Sequence, residues 1–298
     1  MSPTSSHRSS HRPAHRSSHR PRKRFGQHFL AAPWALKVVD AIDPAAADVF
    51  LEIGPGRGAL TFPLAARGVS VLALEIDRDL VSDLATRVPQ NVTLLSGDIL
   101  ATNVIPFLAG LQPRRPPGTA TGDEPPRRFR VVGNLPYNVA TPILFRLIEI
   151  HRHSAFFADA TIMLQKEVAD RLLARPGRKD YGALSVFAQL HARIDRLLDL
   201  PPGAFTPKPK VRSTLVRLTF GPPSARIVDE ELFDRLVKAL FSQRRKTLTN
   251  ALKRFDPTGP AVLALAGLDG RRRPETLQVT EFARLAELFA SVRRPPVL

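Results

Sequence analysis

The sequence predicts an α/β domain built on an open sheet, followed by a small all-helical domain. Short apolar runs typical of buried strands alternate with segments of helical spacing up to about residue 220, and only helical spacing follows. The length of 298 residues also favours two domains. We therefore expect a basic tail at residues 1–23, an α/β domain at residues 24–220 and a helical domain at residues 221–298.

Charge and composition indicate what kind of partner the protein has and where in the cell it acts. The net charge of +17 is clustered along the chain, which predicts a polyanionic partner because lysine and arginine release counterions from phosphates. The chain has no cysteine, which excludes disulfides and thiolate metal sites. No apolar run is long enough for a membrane span, and the N-terminus lacks the apolar core of a secretory signal. We expect a cytoplasmic protein that does not contact a membrane.

The tail repeats a four-residue unit that begins with His-Arg and contains no acidic residue. It has almost nothing apolar to bury, so we expect disorder and nonspecific contact with RNA. Histidines spaced by four would suit a metal on a helix, but Pro13, Pro21 and the serines oppose that helix. We expect no metal site.

The first elements predict a ligand site. Residues 34–42 have helical spacing, with Leu36, Val39 and Ile42 on one face. Residues 49–53 form a buried-strand pattern that runs into Gly54-Pro55-Gly56-Arg57-Gly58, before a helix at 59–67. Glycines in such a turn let the backbone approach a ligand, and the free N–H groups of the helix start favour negative charge.

Two acids follow the next two predicted strands. Glu75 ends the strand at 69–75, and its carboxylate suits the two ribose hydroxyls of an adenosine-bearing ligand. Asp98 follows the strand at 92–95 and suits an adenine amino group. Ligands bind along the carboxyl ends of strands in open α/β sheets, so we expect both acids to line one site rather than to be solvated loop residues.

The next strand, at about 131–134, ends in Asn134-Leu135-Pro136-Tyr137. The Asn134 side-chain oxygen and the Leu135 carbonyl suit the two hydrogens of an exocyclic amine, whose lone pair then becomes available to attack a methyl group. Pro136 fixes the turn without adding a donor, and Tyr137 offers a ring for base stacking. The alternative is that these residues simply end a strand.

The glycine pattern alone leaves the cofactor open. Gly54, Gly56 and Ala59 also satisfy the loose form of a dinucleotide fingerprint. A nicotinamide enzyme has no obvious use for Asp98 and the Asn134 turn at successive strand ends. The set therefore favours S-adenosylmethionine.

Other segments complete the α/β domain. Residues 112–128, rich in Pro, Arg, Gly and Thr, predict a surface insertion. Helices are predicted from Pro142 and at 166–174 and 181–190, and strands at 160–164, 194–200 and 214–218.

A second wall of the site is predicted at residues 204–213. Phe205 lacks apolar neighbours at regular spacing, so we expect a ring presented to a base opposite Tyr137. The alternative is a ring tucked under the loop. The loop cations Lys208, Lys210 and Arg212 are predicted to contact RNA.

The helical domain is predicted to begin with a helix at 231–240 that continues through 243–254 with Leu248 and Leu252 inward and its cations outward. Further helices are expected at 260–266, ending at Gly267, and at 280–290. The cations predicted to contact RNA are Arg244, Arg245 and Lys246.

Several motifs occur together and in order, and the set resembles the small-subunit ribosomal RNA adenine N6,N6-dimethyltransferase family from about Arg24 to Phe289. The motifs are Gln27-His28-Phe29-Leu30, Glu52-Ile53-Gly54-Pro55-Gly56, Asn134-Leu135-Pro136-Tyr137-Asn138, Leu164-Gln165-Lys166-Glu167, Ala204-Phe205-Thr206-Pro207-Lys208-Pro209-Lys210 and Gln243-Arg244-Arg245-Lys246-Thr247-Leu248.

The resemblance implies a class I methyltransferase with a Rossmann-like mixed seven-stranded sheet and a small all-helical C-terminal domain. It implies an enzyme that dimethylates N6 of two adjacent adenines in a loop near the 3′ end of small-subunit rRNA, with S-adenosylmethionine as the methyl donor. By motif match, Tyr137 and Phe205 hold the target adenine. His28 departs from the Asn of many relatives. By motif match, the cofactor is contacted by His28, Leu30, Gly54, Glu75, Asp98 and Asn134, and Gly56 is predicted to bind it as well.

Two other functions stay open. One is a ribosome-assembly or RNA-binding factor that no longer methylates, against which the intact Asn134 to Tyr137 turn argues. The other is a large-subunit rRNA adenine dimethylase that confers antibiotic resistance; Leu135 and the run at 243–248 favour the small-subunit enzyme. The expected partner is the immature small ribosomal subunit, bound by a monomer.

Overall fold

The computed structural model describes residues 27–45, 48–111 and 129–293. The predicted tail at 1–23 and the predicted insertion at 112–128 lie outside the described residues. In the described part of the chain, no helix is both long and apolar enough to cross a membrane.

A seven-stranded mixed sheet organises the first two thirds of the described chain. Its strand order is β4-β3-β2-β5-β6-β9-β7; β9 runs antiparallel to both of its neighbours and the other pairs are parallel. The predicted sheet is therefore confirmed. The strands are β1 (Phe29–Leu30), β2 (Val49–Ile53), β3 (Ser70–Glu75), β4 (Val92–Ser96), β5 (Phe129–Asn134), β6 (Phe157–Gln165), β7 (Ala192–Leu200), β8 (Phe205–Thr206) and β9 (Ser213–Phe220).

Helices cover both faces of the sheet and form the C-terminal part. Short 3-10 helices lie at Pro202–Ala204 and Pro274–Thr276. The α-helices are α1 (Ala32–Ile42), α2 (Thr61–Ala66), α3 (Arg78–Ala85), α4 (Ile105–Gly110), α5 (Ala140–Ser154), α6 (Lys166–Leu173), α7 (Ala183–His191), α8 (Glu230–Ser242), α9 (Leu248–Phe255), α10 (Gly259–Ala266) and α11 (Val279–Arg293).

Each face of the sheet has its own hydrophobic cluster. Phe50 packs in a cluster with α1 and α2, whereas the neighbouring Leu51 packs in another cluster with α5 and α6. Successive side chains of a strand point to opposite faces, so the apolar residues of β2 serve both clusters. Burial of both faces explains why apolar residues stand at adjacent positions 49–51.

The prediction that Leu36 lies on the inner face of α1 is wrong, because its side chain is 54% exposed. The buried positions are Ala35, Val38, Val39 and Ile42, which follow the spacing of one helical face. Leu36 lies one position away from that face. A small alanine packs against the sheet where the larger leucine was expected.

The helix predicted across 243–254 is interrupted. Helix α8 ends at Ser242 and α9 begins at Leu248. The first N–H groups of α9 find partners in a distant loop, because Leu248 N donates to the Arg272 carbonyl (2.8 Å) and Thr249 N to the Gly270 carbonyl (3.2 Å). These bonds satisfy the free donors of a helix start. Leu248 and Leu252 are buried, as predicted.

The C-terminal helices share their core with one helix of the sheet domain. Tyr181, Phe187 and Leu190, from α7 and the segment before it, belong to the same cluster as the inner faces of α8 to α11. The sheet ends with β9 at Phe220. A domain boundary at residue 220 remains a prediction, since this cluster crosses it.

Candidate active site

The predicted cofactor residues converge on one cavity at the carboxyl edge of the sheet. The parallel strands β2, β3 and β5 end side by side at Ile53, Glu75 and Asn134, so the residues at and after their ends face a common space. The predicted site residues that line it are His28, Leu30, Gly54, Gly56, Glu75, Asp98, Asn134, Leu135, Pro136 and Tyr137.

The glycine turn after β2 has a backbone that other residues rarely adopt. Gly54 and Gly56 have φ values of 68° and 58°. A Cβ on Gly56 would also lie 3.2 Å from Cε1 of the Phe29 ring. The turn therefore requires glycine both for its conformation and for the close approach of the N-terminal segment.

Glu75 holds this turn from the end of β3. Its Oε2 accepts from Gly56 N (3.0 Å) and its Oε1 from Asp77 N (2.9 Å). Burial raises the pKa of Glu75, and these two N–H groups oppose that rise. A carboxylate has about four acceptor positions, so both oxygens can also accept from a ribose diol.

Asp98 lines the same cavity as the glycine turn. Its Oδ1 accepts from Leu100 N at 2.9 Å, which fixes the orientation of the carboxylate. A glycine turn for close approach, an acid suited to a ribose and a second acid suited to an amino group fit S-adenosylmethionine. Among the described residues, no group of three or more His, Cys, Asp or Glu side chains could hold a metal.

Glu52 is a site residue that was not predicted from the sequence, where it stands within a strand and a motif. Its side chain is 1% exposed, it lines the cavity, and it accepts from Thr61 Oγ1 at 2.6 Å. Burial raises its pKa to about 7, and the nearby Glu75 adds to the rise. The available signal was an acid inside an otherwise apolar strand.

The Asn134 side chain is oriented by the N-terminal segment. Its Nδ2 donates to the His28 carbonyl at 2.7 Å. A carbonyl oxygen only accepts, so this contact assigns the nitrogen to that side and leaves Oδ1 as the acceptor of the amide. The predicted acceptor role of Asn134 is consistent with this placement. The role of the Leu135 carbonyl stays a prediction.

Tyr137 is held by contacts at its hydroxyl and on its ring. Its hydroxyl and Ser213 Oγ are 2.7 Å apart, and its ring stacks on His28 with centroids 5.4 Å apart. His28 Nδ1 donates to the Pro207 carbonyl at 2.7 Å, so the hydrogen lies on Nδ1 in this contact. Burial raises the pKa of Tyr137, although the Ser213 bond opposes the rise.

Phe205 is not the exposed ring that the sequence analysis expected. Its side chain is 1% exposed and lies in the cluster that contains Leu30 and Met163. The reason is a short strand pair, in which β8 runs antiparallel to β1 and Phe205 is the partner of Leu30. The alternative of a tucked ring is therefore correct for this structure. Phe205 as a second base wall remains a prediction that requires the ring to leave this cluster.

The predicted RNA-contacting cations divide into two groups. Arg244 is part-buried and bonds the Glu275 carboxylate and the Lys179 carbonyl, so the expectation that all cations of this run face outward is wrong there. Its contacts hold the loop between α8 and α9 against the protein. The cations that are exposed are Lys208, Lys210, Arg212, Arg245 and Lys246.

Comparisons with known proteins give the family. The pattern of ribosomal RNA adenine dimethylases matches residues 18–291. The ribosomal RNA small subunit methyltransferase A of Aromatoleum aromaticum is 43% identical over 273 residues, covering 91% of this chain and 94% of that protein. Its counterpart in Koribacter versatilis is 41% identical over 277 residues, covering 92% and 95%.

Solved structures agree in fold. A dimethyladenosine transferase from Plasmodium falciparum superimposes with a TM-score of 0.70 at 24% identity, covering 89% of this chain and 98% of that one. The mixed seven-stranded sheet with a helical C-terminal part is the class I methyltransferase fold that the resemblance implied. The family match spans most of the sequence, and both relatives align over nearly their whole length. This chain belongs to the ribosomal RNA adenine dimethylase family.

Proposed function

We propose that this protein dimethylates N6 of two adjacent adenines in a loop near the 3′ end of small-subunit rRNA. The family acts on ribosomal RNA, and its methyl donor is S-adenosylmethionine. The relatives at 41–43% identity are named for the small subunit, which supports that subunit as the target.

The observation that carries the proposal is the fixed amide of Asn134 beside Tyr137. An amine conjugated to a purine has a delocalised lone pair and is a poor nucleophile. When Asn134 Oδ1 and the Leu135 carbonyl accept its two hydrogens, they turn those hydrogens out of the ring plane and localise the lone pair. The His28 carbonyl holds the amide in the orientation that this task requires.

The reaction depends mainly on positioning. When bound, S-adenosylmethionine supplies an electrophilic methyl group and departs as a neutral thioether. Tyr137 stacks on the adenine and Asn134 aligns N6 with the methyl carbon, which converts a bimolecular step into a preorganised one. N6 sheds its proton easily once it is alkylated, so no strong general base is needed.

The natural substrate in this proposal is the immature small subunit, bound in the cytoplasm by a monomer. The net charge of +17 and the exposed cations at 208–212 support a long contact with an RNA backbone. Those cations follow β8, which pairs with the N-terminal segment that also lines the cavity.

Transfer of labelled methyl groups to purified subunits tests the proposal. Protein incubated with labelled S-adenosylmethionine and with unmethylated small and large subunits is expected to yield N6,N6-dimethyladenosine in small-subunit rRNA only. Labelling of large-subunit rRNA instead would identify the resistance-type enzyme. An absence of incorporation into either would overturn the proposal and favour an assembly or RNA-binding factor.

A further inference from the structure

A second cavity lies between α5, α7 and α8, next to the active site. It has a volume of about 540 Å³, within the usual range of ligand pockets. Leu100 lines both this cavity and the active-site cavity. The two spaces therefore adjoin at one residue, on either side of the first turns of α5.

One of the polar side chains of this second cavity is the buried His191. Its side chain is 8% exposed and lines the cavity, and neither ring nitrogen has a hydrogen-bond partner among the described residues. Burial lowers the pKa of His191 to about 4, and the positive charges of Arg152 and His151 act in the same direction. The neutral ring offers one donor and one acceptor.

Aromatic side chains form the walls. Phe187 is surrounded by Phe145 and Phe233 in edge-to-face contacts, with centroids 5.5 Å and 6.0 Å apart, and all three line the cavity. Such walls accept a flat ring system, and an unpartnered imidazole can pair with its polar edge.

The charges around the cavity are largely paired within the protein. Arg146 bonds Glu149 at 2.8 Å and Arg152 lies 3.2 Å from Glu230. Lys238 and Asp234 also line it. Cations and carboxylates of similar number do not favour a small anion, and they suit an uncharged ring with both donors and acceptors.

We propose that this cavity holds a second, unstacked nucleobase of the RNA substrate while the target adenine stacks on Tyr137. The inference rests on the proposed function, because it needs an RNA strand at the neighbouring active site. His191 reads the polar edge of this base, the phenylalanine cluster contacts its faces, and Asp234 contributes at the rim. The pocket thereby fixes the register of the strand for the pair of methyl transfers.

Two variants with a matched control test the cavity. His191→Leu removes a hydrogen-bond donor and an acceptor from the cavity lining. Asp234→Asn replaces a carboxylate of the lining, on α8, by an amide of similar size. Glu231→Gln makes the same carboxylate-to-amide change on α8 at a side chain that is 84% exposed and outside the cavity. Small subunits lacking the modification serve as the RNA probe.

We expect His191→Leu to raise the KM for small subunits about fivefold to tenfold, which is the loss of one or two hydrogen bonds to a buried partner. Asp234→Asn should raise it less, and Glu231→Gln should leave it unchanged. The dissociation constant for S-adenosylmethionine and the melting temperature should stay within error. Chemical probing of base edges should show one protected base outside the target pair, and its protection should be lost in His191→Leu.

The inference is overturned if His191→Leu and Asp234→Asn both match the wild type in KM and in the protected bases. That result with an active wild type leaves the proposed function intact. A wild type that does not methylate the subunits would instead overturn the proposed function, whatever the variants do.

Discussion

The imidazole of His28 stacks on the phenol ring of Tyr137, with centroids 5.4 Å apart and an angle of 27° between the ring planes. His28 is tied to the segment that follows β8 through the Pro207 carbonyl, and Tyr137 is tied to Ser213, the first residue of β9. One face of Tyr137 is thus covered by protein. We therefore predict that the target adenine stacks on the other face, between solvent and the His28–Tyr137 pair.

Tyr137→Ala is expected to raise the KM for small subunits by about 10-fold to 100-fold, because base stacking on an aromatic ring contributes about 1–3 kcal/mol. Tyr137→Phe keeps the ring and loses only the Ser213 contact, so its KM should lie within a fewfold of the wild type. Steady-state kinetics on unmethylated subunits measures both. Equal losses in the two variants would contradict a stacking role and point to the hydroxyl.

Asn134→Ala is expected to lower kcat by about 10²-fold or more, since a preorganised polar contact that acts on the reacting group has this typical effect. RNA affinity should change little because the stacking ring remains. Asn103→Ala, at an exposed asparagine that bonds only the nearby Ile105 N–H in the described structure, is the control. Single-turnover methyl transfer at saturating cofactor makes the comparison. An Asn134→Ala enzyme with the wild-type rate would refute the role given to this amide.

Glu52 makes the free energy of unfolding depend on pH. Its pKa is raised from 4.5 to about 7 in the folded state, so the fold prefers the protonated acid. Its stabilising contribution is complete below about pH 4.5 and is lost as pH rises through about 7. Glu52→Gln removes this loss. As pH rises from about 5 to 8, the free energy of unfolding of the variant should increase by on the order of 3 kcal/mol relative to that of the wild type.

Urea unfolding of both proteins at several pH values measures this difference. Glu167→Gln, at an exposed acid on α6, is the control and should show no such trend. If the difference in free energy of unfolding between wild type and Glu52→Gln stays constant with pH, Glu52 is ionised in the folded protein over the whole range. If that difference instead changes with pH in the opposite direction, the folded site prefers the ionised carboxylate of Glu52.

Adjacent arginines of the loop between α8 and α9 are expected to behave differently. Arg244→Ala breaks the contacts with Glu275 and the Lys179 carbonyl, so it should lower the melting temperature. Arg245→Ala, at an exposed side chain, should leave the melting temperature unchanged and weaken RNA binding. The slope of the logarithm of the binding constant against the logarithm of the salt concentration should become shallower by about 1. Thermal unfolding and binding at several salt concentrations separate the two. Identical behaviour of both variants would be evidence against this division.

The part of the site that the sequence predicted depends on strand ends. Gly54, Glu75, Asp98 and Asn134 each follow an apolar run, and parallel strands necessarily bring such ends to one edge of a sheet. Their convergence therefore needed no knowledge of packing. The sheet was predictable for the same reason, since buried strands and helices alternate with distinct periods.

Most of what the sequence did not predict depends on partners far along the chain. Phe205 is buried because β1, from the other end of the domain, pairs with it. Arg244 turns inward because Glu275 reaches it from the 3-10 helix at Pro274–Thr276. Leu36 is exposed because Ala35 occupies the packed position of its helix. In each case the local pattern allowed two orientations and tertiary contacts chose one.

The most direct test of the central claim is mass spectrometry of small-subunit rRNA from cells with and without this protein. We predict that two adjacent adenines near the 3′ end carry N6,N6-dimethyl groups in the presence of the protein, and that both lack them in its absence or when Asn134→Ala replaces it. Identical masses for that fragment in all three samples would contradict the claim.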